Sequence, residues 1–330
     1  MDATRRRCCV SLAFAAPEFS AYNESAMKVG ITGASGFIGR HLVRRLGERG
    51  HEPVAFSRDT SRRVAGCRET RAFGAGQPVD LWDLDAVVNL AGEPILGLWT
   101  KAKRARILES RVGGTERIVQ ALAQAPRDND ADSGPRILIN GSATGFYGDR
   151  GDEILEEDDG PGSGFLSEVC QQWESAACQA RGVRVALVRI GFVLGQDGGA
   201  WPFLRRIFRL GLGGKLGGGQ QWMSVIHVAD VVGLIVALLE HEDDPRDASG
   251  PFNAVCPTPV RNVDFTRAVA AALHRPALWP APAGLLKKTL GDLSHLLLDS
   301  QRIAPARTRA LGYEFQFPNL AAILADVTRA

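Results

Sequence analysis

Short apolar runs alternate with amphipathic segments from Met27 onward. Lys28–Thr32 is an apolar run of strand length, and Phe37–Arg49 follows it with apolar residues at helical spacing before Gly50. The same alternation continues to residue 190. Its further predicted strands are Pro53–Phe56, Ala86–Leu90, Arg136–Asn140 and Val183–Ile190, and its further predicted helices are Lys101–Ala123 and Glu168–Arg181. This order predicts an α/β fold in which helices cover both faces of a parallel sheet.

The pattern changes after Gly195. Residues 211–221 are rich in glycine, and the remaining chain predicts helices at Val231–Glu240, Asn262–His274, Gly284–Leu298 and a last one after Asn319. Asn262 and Asn319 are the expected N-caps of their helices. We therefore predict two domains, residues 27–195 and a smaller C-terminal α+β substrate lobe, residues 196–330. Parts of residues 225–256 are expected to return to the first sheet, and polar residues 124–135 to form a surface loop.

Residues 1–26 differ from the rest of the chain. Three consecutive arginines, Arg5 to Arg7, precede a short apolar stretch, which is typical of a targeting peptide. However, Met27 stands directly before the first predicted strand, so a chain starting there would lose nothing that the fold needs. We favour the interpretation that residues 1–26 are a disordered extension or a mis-assigned start.

Composition narrows the classes of function. The chain has 330 residues, 45% of them hydrophobic, and a net charge of +2 from 39 basic and 37 acidic residues. This balance argues against nucleic-acid binding through a basic field, and no apolar run reaches the roughly 18–20 residues of a membrane span. Six cysteines without a C-x-x-C pair support neither a metal site nor a disulfide framework. We expect a cytoplasmic protein that binds no nucleic acid, membrane or metal.

The turn between the first strand and the first helix carries the strongest chemical signal. Its glycines follow a G-x-x-G-x-x-G spacing, which lets a pyrophosphate approach bare backbone at a helix N-terminus. The alternative is a glycine-rich turn without function, but the strand and the helix both lie where the motif requires them. The predicted cofactor contacts here are Gly33, Ser35, Gly36, Phe37, Ile38 and Gly39.

The second predicted strand ends before Ser57 and Arg58. Arg58 lies 19 residues after Gly39, where a carboxylate would bind the ribose 2′-hydroxyl of NAD and a guanidinium suits a 2′-phosphate. The sequence therefore favours NADP(H) over NAD(H), with Ser57 and Arg58 as contacts. Two alternatives stay open: Asp59 turns inward, or Arg58 is a solvated surface residue.

Further motifs run in order along the chain. They are Asn89–Gly92, Ser110-Arg111, Ser142–Gly148, Trp173-Glu174, Arg189–Gly195, Ile226–Asp230, Asn253–Pro257 and Gly312–Phe315. Together with the glycine turn they resemble the extended short-chain dehydrogenase/reductases, and within them the NADP-linked epimerase-family branch. The resemblance covers about residues 27–330.

The resemblance implies a Rossmann domain, a doubly wound parallel sheet that binds NADP(H). Leu90, Ala91 and Gly92 would then line the adenine and ribose side, and Ser142 and Ala143 would lie beside the nicotinamide. Arg111 would reach the cofactor from its helix, although an ordinary exposed helix arginine is an equally good interpretation. The resemblance also implies a small-molecule substrate. Because family members often form homodimers, we expect a homodimer as well.

The chain departs from the family at the catalytic dyad. Extended members use a Tyr-x-x-x-Lys pair, in which the lysine lowers the pKa of the tyrosine. Aligned on Glu174, the tyrosine position is Leu166 and the lysine position is Cys170, while Ala143 takes the usual hydroxyl position. The standard dyad is therefore absent from this alignment.

Other residues must supply any proton transfer or substrate contact. Glu93, at the carboxyl end of a predicted strand, is our first candidate for substrate contact. Ser142, Thr144, Tyr147 and His227 are weaker candidates, because each also fits a structural role in a strand end, a turn or the core. We interpret Asp230 as the N-cap of its helix.

Two functions remain open. The first is an NADP(H)-dependent oxidoreductase or epimerase-like enzyme that acts on a small polar or sugar-nucleotide-like substrate. The second is an NADP(H)-bound sensor or regulatory protein with little catalysis, which the missing dyad favours. The glycine-rich residues 211–219 fit either a lid over the substrate cleft or a plain surface loop.

Overall fold

The computed structural model describes residues 26–125 and 134–329. The predictions for residues 1–25 and for most of the loop at 124–135 lie outside these ranges. The described strands are β1 (Lys28–Thr32), β2 (Glu52–Ser57), β3 (Glu69–Ala72), β4 (Ala86–Asn89), β5 (Ile137–Ala143), β6 (Ile154–Leu155), β7 (Arg184–Ile190), β8 (Phe192–Gly195), β9 (Gly198–Gly199), β10 (Trp222–Met223), β11 (Val225–His227), β12 (Gly250–Ala254), β13 (Val260–Arg261) and β14 (Arg302–Ile303).

The described helices connect and cover these strands. They are α1 (Phe37–Glu48), α2 (Lys101–Gln124), α3 (Phe165–Ala177), α4 (Trp201–Arg209), α5 (Val228–Leu239), α6 (Asn262–Ala272), α7 (Ala283–Leu290), α8 (His295–Leu298), α9 (Ala306–Ala310) and α10 (Leu320–Val327). Short 3-10 turns add Thr144–Tyr147 and Gly291–Ser294.

The main sheet has seven strands in the order β12-β7-β5-β4-β1-β2-β3, and every neighbouring pair is parallel. This arrangement confirms the predicted doubly wound parallel sheet. The strand order reverses between β1 and β4, which leaves a crevice at the carboxyl edge where ligands bind in such folds. The edge strand β3 is absent from the sequence prediction because its residues, Glu69–Ala72, are mostly polar.

Two hydrophobic clusters hold the helices on opposite faces of the sheet. On one face, Leu42 and Leu46 of α1 pack with the buried apolar side of α5. On the other face, Ile118 and Leu122 of α2 pack with Val87 and neighbouring strand residues. Each fully buried side chain of this size contributes about 1.5–3 kcal/mol relative to an exposed one. These clusters confirm the prediction that helices cover both faces.

A third cluster forms the core of the C-terminal lobe, around Trp201 and Phe208 of α4, Phe265 of α6 and Leu324 of α10. The chain does not stay in that lobe, because β12 returns and pairs in parallel with β7 along Gly250–Ala254. The main sheet is thus completed by residues far along the chain.

The ring of Phe37, the first residue of α1, packs against the segment from Gly195 to Gly199. Cβ atoms added to Gly195, Gly198 and Gly199 would lie 2.7, 2.3 and 2.8 Å from ring atoms of Phe37. Because real Cβ atoms do not approach so closely, only glycine fits at these three positions around the ring. We call these three residues the glycine socket of Phe37.

Two helix predictions for the C-terminal half are wrong in detail. The single helix expected at Gly284–Leu298 is interrupted at Gly291, whose φ of +54° lies in the left-handed region that ends helices. Asn262 is not an N-cap, since Arg261 has the extended backbone of the cap. The Asn262 side chain instead accepts a 2.8 Å hydrogen bond from the backbone N–H of Leu216.

The start of α5 also differs from the prediction. His227, not Asp230, is the N-cap, and its Nδ1 accepts from the backbone N–H of Ala229 at 3.2 Å. Asp230 is fully buried in the first turn and accepts hydrogen bonds from the backbone N–H groups of Gln316 and Phe317. It therefore fixes a distant segment of chain, which local sequence could not reveal. The predicted cap Asn319 is confirmed, since its Oδ1 accepts from Ala322 at 2.9 Å.

Candidate functional site

The turn between β1 and α1 is bare backbone. Gly33 has a φ of +70°, and a Cβ there would lie 2.9 Å from the carbonyl group of Leu90. A Cβ on Gly39 would lie 2.1 Å from the carbonyl oxygen of Gly33, so only glycine lets the helix pack this closely. Gly36 is the N-cap of α1 and offers no side-chain cap. The first N–H groups of α1 are therefore available to an anion.

A pocket of about 480 Å³ joins this turn to the end of β2. Its lining is strongly cationic and consists of Ser35, Arg40, Ser57, Arg58, Asp59, Arg62, Arg63, Val64 and Ala65. Guanidinium groups in this number suit a ligand that carries phosphate. The pocket brings three predicted contacts to one place, Ser35 of the turn and Ser57 and Arg58 at the end of the second strand.

Asp59 does not turn its carboxylate freely into this pocket. Its Oδ1 accepts from the backbone N–H of Ser61 at 3.1 Å and from the Ser61 hydroxyl at 2.5 Å, and Arg62 lies 3.4 Å away. The Ser61 hydrogen bonds are the main cause that lowers the pKa of Asp59. The carboxylate is thus held by the residues that follow it, which leaves Arg58 on the pocket wall.

Sequence reasoning missed three of the pocket's arginines. Arg62 and Arg63 follow Arg58 closely, and this cluster of bases after a strand was an available signal. Arg40 lies one residue after the last glycine of the turn and donates to Asp197 through Nε at 3.2 Å and Nη2 at 3.1 Å. Asp197 lies between β8 and β9, far from Arg40 along the chain, so no local sequence pattern predicts that contact.

A buried network of amides and hydroxyls lies beneath the carboxyl edge. The Thr32 hydroxyl donates to Oδ1 of Asn89 at 2.6 Å, and Nδ2 of Asn89 donates to Oδ1 of Asn140 at 2.7 Å. The Thr32 oxygen accepts from the backbone N–H groups of Leu90 and Ala91, both at 3.1 Å. These bonds fix the predicted contact loop beside the glycine turn.

The same loop continues to Gly92 and Glu93, which rest on α2. The backbone N–H of Glu93 donates to Ser110 at 2.9 Å, and Nη1 of Arg111 donates to the Glu93 carbonyl at 3.0 Å. The Glu93 carboxylate accepts a 2.8 Å hydrogen bond from Nζ of Lys103, which lowers the pKa of Glu93. Arg111 is half-buried, so it is not an ordinary exposed helix arginine.

Ser142 and Tyr147 meet in a second buried network. The Ser142 hydroxyl donates to Glu174 at 2.6 Å, and Arg189 donates to both carboxylate oxygens of Glu174 at 2.9 Å. Arg189 also donates to the Tyr147 hydroxyl at 2.8 Å, which in turn donates to Asn253 at 2.8 Å. Burial raises the pKa of Tyr147 to about 12. The tyrosine is therefore a neutral, anchored group at physiological pH.

Leu166 and Cys170, the residues that we expect at the dyad positions, lie in α3. A Cβ on Gly145 would lie 3.3 Å from Cβ of Leu166 and 4.0 Å from Sγ of Cys170. Burial raises the pKa of the Cys170 thiol to about 11, so the thiol is neutral. Ala143 ends β5 beside it, and buried Thr144 begins the 3-10 turn.

His227 lies apart from the other candidate residues at the carboxyl edge. Its ring caps α5, lies 3.2 Å from the carboxylate of Asp326 and packs on Phe317 at a centroid distance of 3.9 Å. Burial is the main cause that lowers its pKa. The structure thus gathers Glu93, Ser142 and Thr144 at the carboxyl edge and places His227 at the α5–α10 contact. Which of them touches substrate stays a prediction.

These features define a Rossmann-type α/β protein with a glycine turn and a cationic pocket at the carboxyl edge of its sheet. The model of the NAD dependent epimerase/dehydratase family matches residues 29–253, and the chain belongs to that family. A domain of unknown function, DUF1731, matches residues 281–327. The resemblance inferred from the motifs is therefore confirmed.

Similar proteins come from distant organisms. The Arabidopsis thaliana epimerase family protein SDR39U1 homolog, chloroplastic, is 36% identical over 305 residues, covering 90% of this chain and 86% of its own. The crystal structure of human epimerase family protein SDR39U1 with NADPH has a TM-score of 0.79 at 32% identity, covering 92% and 99% of the two chains. A nucleoside-diphosphate sugar epimerase structure from Corynebacterium glutamicum has a TM-score of 0.70 at 33% identity, covering 92% of this chain and 58% of its own.

No helix in residues 26–125 or 134–329 is long and apolar enough to cross a membrane. In the same part of the chain, no three or more His, Cys, Asp or Glu residues are grouped so that they could hold a metal ion.

Proposed function

We propose that this chain binds NADP(H) at the carboxyl edge of its sheet. The observation that supports this most is the cationic pocket that joins the glycine turn to Arg58. A 2′-phosphate there would meet guanidinium groups, while the nearby Asp59 carboxylate is engaged by Ser61 and Arg62. The human relative solved with NADPH supports the same cofactor.

The cofactor contacts follow from the geometry of the edge. The pyrophosphate would lie on the bare turn, with Gly33, Ser35, Gly36, Phe37, Ile38 and Gly39 as its contacts. Leu90, Ala91 and Gly92 would line the adenine and ribose side, with Arg111, Ser142 and Ala143 towards the nicotinamide. When bound, NADP(H) supplies hydride chemistry, and the protein binds and orients the reactants.

The reaction we propose is that of an NADP(H)-dependent oxidoreductase or epimerase-like enzyme acting on a small polar substrate. Sugar nucleotides are the first substrate class to test, given the family. Glu93 is the proposed substrate contact, because it is half-buried at the end of β4 and its low pKa keeps it anionic. Ser142, Thr144, Tyr147 and His227 remain weaker candidates.

A second function is favoured by one specific observation. Leu166 and the neutral thiol of Cys170 stand at the positions that align with the dyad, and neither exchanges a proton readily near neutral pH. A cofactor-bound sensor would need only the binding edge. Under either function, we also propose a cytoplasmic homodimer, as expected from the sequence.

The cofactor assignment is tested by titration calorimetry with NADPH and NADH. We expect Arg58→Ala to weaken the binding of NADPH by about tenfold or more, because a hydrogen bond to a charged group contributes about 1.5–3 kcal/mol. NADH should change little. Arg44→Ala, an exposed arginine of α1 outside the pocket lining, is the matched control and should leave both unchanged. Equal losses for NADPH and NADH in Arg58→Ala would contradict the assignment.

Turnover separates the two functions. The NADPH-loaded protein is incubated with a panel of sugar nucleotides and simple carbonyl compounds, and cofactor oxidation and product isomers are followed. Conversion of any panel member supports the enzyme. Tight NADPH binding with no conversion across the panel supports the sensor.

A further inference from the structure

One cationic side chain at the carboxyl edge has no anionic partner. Among the described residues, no carboxylate lies in ion-pair distance of the Arg111 guanidinium. Its hydrogen bonds both use Nη1, which donates to the backbone carbonyls of Glu93 at 3.0 Å and Ile107 at 3.3 Å. Nε and Nη2 form no hydrogen bond within the described ranges, so two nitrogens of the guanidinium, with three N–H groups, are left for a ligand.

The surroundings hold this guanidinium in place without neutralising it. The indole ring of Trp173 lies 5.3 Å from the Arg111 Cζ. A Cβ added to Gly92 would lie 3.0 Å from the same atom, so glycine at this position leaves room for the guanidinium. Burial lowers the pKa of Arg111, yet a guanidinium keeps its charge in proteins. A half-buried charge without a partner is costly, and an anion would offset that cost.

The neighbouring carboxylates are engaged by other cations, although Glu93 is close enough to interact electrostatically with Arg111. The Glu93 carboxylate is held by Lys103 at 2.8 Å and Arg106 at 3.4 Å. The Glu174 carboxylate is held by Arg189 at 2.9 Å. The Cys170 thiol is close enough to interact electrostatically with Arg111, but burial raises its pKa to about 11 and keeps it neutral. Glu93 thus faces Lys103, Arg106 and Arg111 together, so the edge carries excess positive charge beside Cys170.

We infer that Arg111 is the receptor for a carboxylate of the substrate, held next to the nicotinamide end of the cofactor. The inference rests on the proposed function, which assigns the cofactor's own phosphates to the α1 turn and to the Arg58 pocket. An anion that binds the free side of Arg111 would then belong to the substrate. The planar fork of a guanidinium pairs with a carboxylate through two parallel hydrogen bonds. The substrate class is thus narrowed to small polar molecules that carry a carboxylate near the reacting carbon.

The test uses the full chain saturated with NADP⁺ and the dicarboxylate malonate as the probe. Titration calorimetry should detect malonate binding, with neutral malonamide about tenfold weaker or more, because charge-assisted hydrogen bonds are about twice as strong as neutral ones. Arg111→Gln should lose malonate affinity by the same factor and much less NADPH affinity, because Arg111 is proposed to lie towards the nicotinamide and away from the cofactor's phosphates. Arg111→Lys keeps the charge but not the planar fork, so its malonate affinity should lie between those of the parent chain and Arg111→Gln.

Lys101→Gln is the matched control, since Lys101 is an exposed cation on the same helix and has no part in the proposed site. It should leave malonate binding unchanged. The melting temperature of each variant and its NADPH affinity report whether it is folded. Three results would overturn the inference: malonate fails to bind the NADP⁺-loaded chain, Arg111→Gln binds it as well as the parent, or Arg111→Gln loses NADPH in parallel. Failure of the parent chain to bind NADPH would instead overturn the proposed function.

Discussion

The Ser142 hydroxyl group donates a 2.6 Å hydrogen bond to the carboxylate of Glu174, and both residues are buried. Because Arg189 holds the same carboxylate through two nitrogens, the serine at the end of β5 is oriented by an ion pair that spans α3 and β7. The carboxyl edge of the sheet is therefore braced from beneath by charge as well as by apolar packing.

Loss of the Glu174 carboxylate should strongly lower the free energy of unfolding. Glu174→Ala leaves the buried Arg189 guanidinium without its carboxylate, and breaking a buried pair in this way costs about 3–5 kcal/mol. Urea unfolding gives the change in free energy. Glu153→Ala is the matched control, because Glu153 pairs with Arg150 at 2.6 Å on the surface, where such pairs contribute about 0–1 kcal/mol. Similar losses in both variants would refute the special weight given to the buried pair.

Two glycines of α1 should respond in opposite ways to alanine. In Gly39→Ala the new Cβ would lie 2.1 Å from the carbonyl oxygen of Gly33, so the turn must open and NADPH binding should fall below detection. In Gly47→Ala nothing lies within 4 Å of the new Cβ. This variant should gain about 0.5–1 kcal/mol in unfolding free energy, the usual advantage of alanine in a helix. Calorimetry and urea unfolding distinguish the two, and unaltered NADPH binding by Gly39→Ala would contradict the prediction.

Tyr147 should make stability fall at alkaline pH. Its folded pKa is raised to about 12 by burial, while an unfolded tyrosine titrates near 10. The folded state therefore keeps a proton that the unfolded state loses, so this contribution is complete below about pH 10 and is lost as the pH rises towards 12. Over that interval it amounts to about 1.4 kcal/mol per pH unit. The slope should be smaller in Tyr147→Phe, measured by urea unfolding across the interval, and identical slopes would disprove the contribution.

Local patterns in the sequence were sufficient for most of the sheet. Lys28–Thr32 was predicted with its observed bounds, because an apolar run before a glycine turn has few other solutions. The edge strand Glu69–Ala72 was missed, since one side of an edge strand needs no apolar residues. The break at Gly291 was missed because a glycine in a helical pattern is only a weak stop signal.

The candidate site divides in the same way. The glycine turn was found because its chemistry lies within seven consecutive residues, Gly33 to Gly39. The ion pair of Glu174 with Arg189 and the anchoring of Asp230 join residues distant in sequence, so no periodic pattern contains them. One signal was available: Arg189 interrupts the apolar run that starts at Val185, and a charge there needs a buried partner.

The glycine socket of Phe37 ties the evolution of two distant segments together. A side chain gained at Gly195, Gly198 or Gly199 would have to be matched by a smaller residue at position 37, and a lost ring would leave a void that those glycines cannot fill. Substitutions at these four positions should therefore be inherited as compensating sets, so the antiparallel pair β8–β9 and the glycine turn must diversify together.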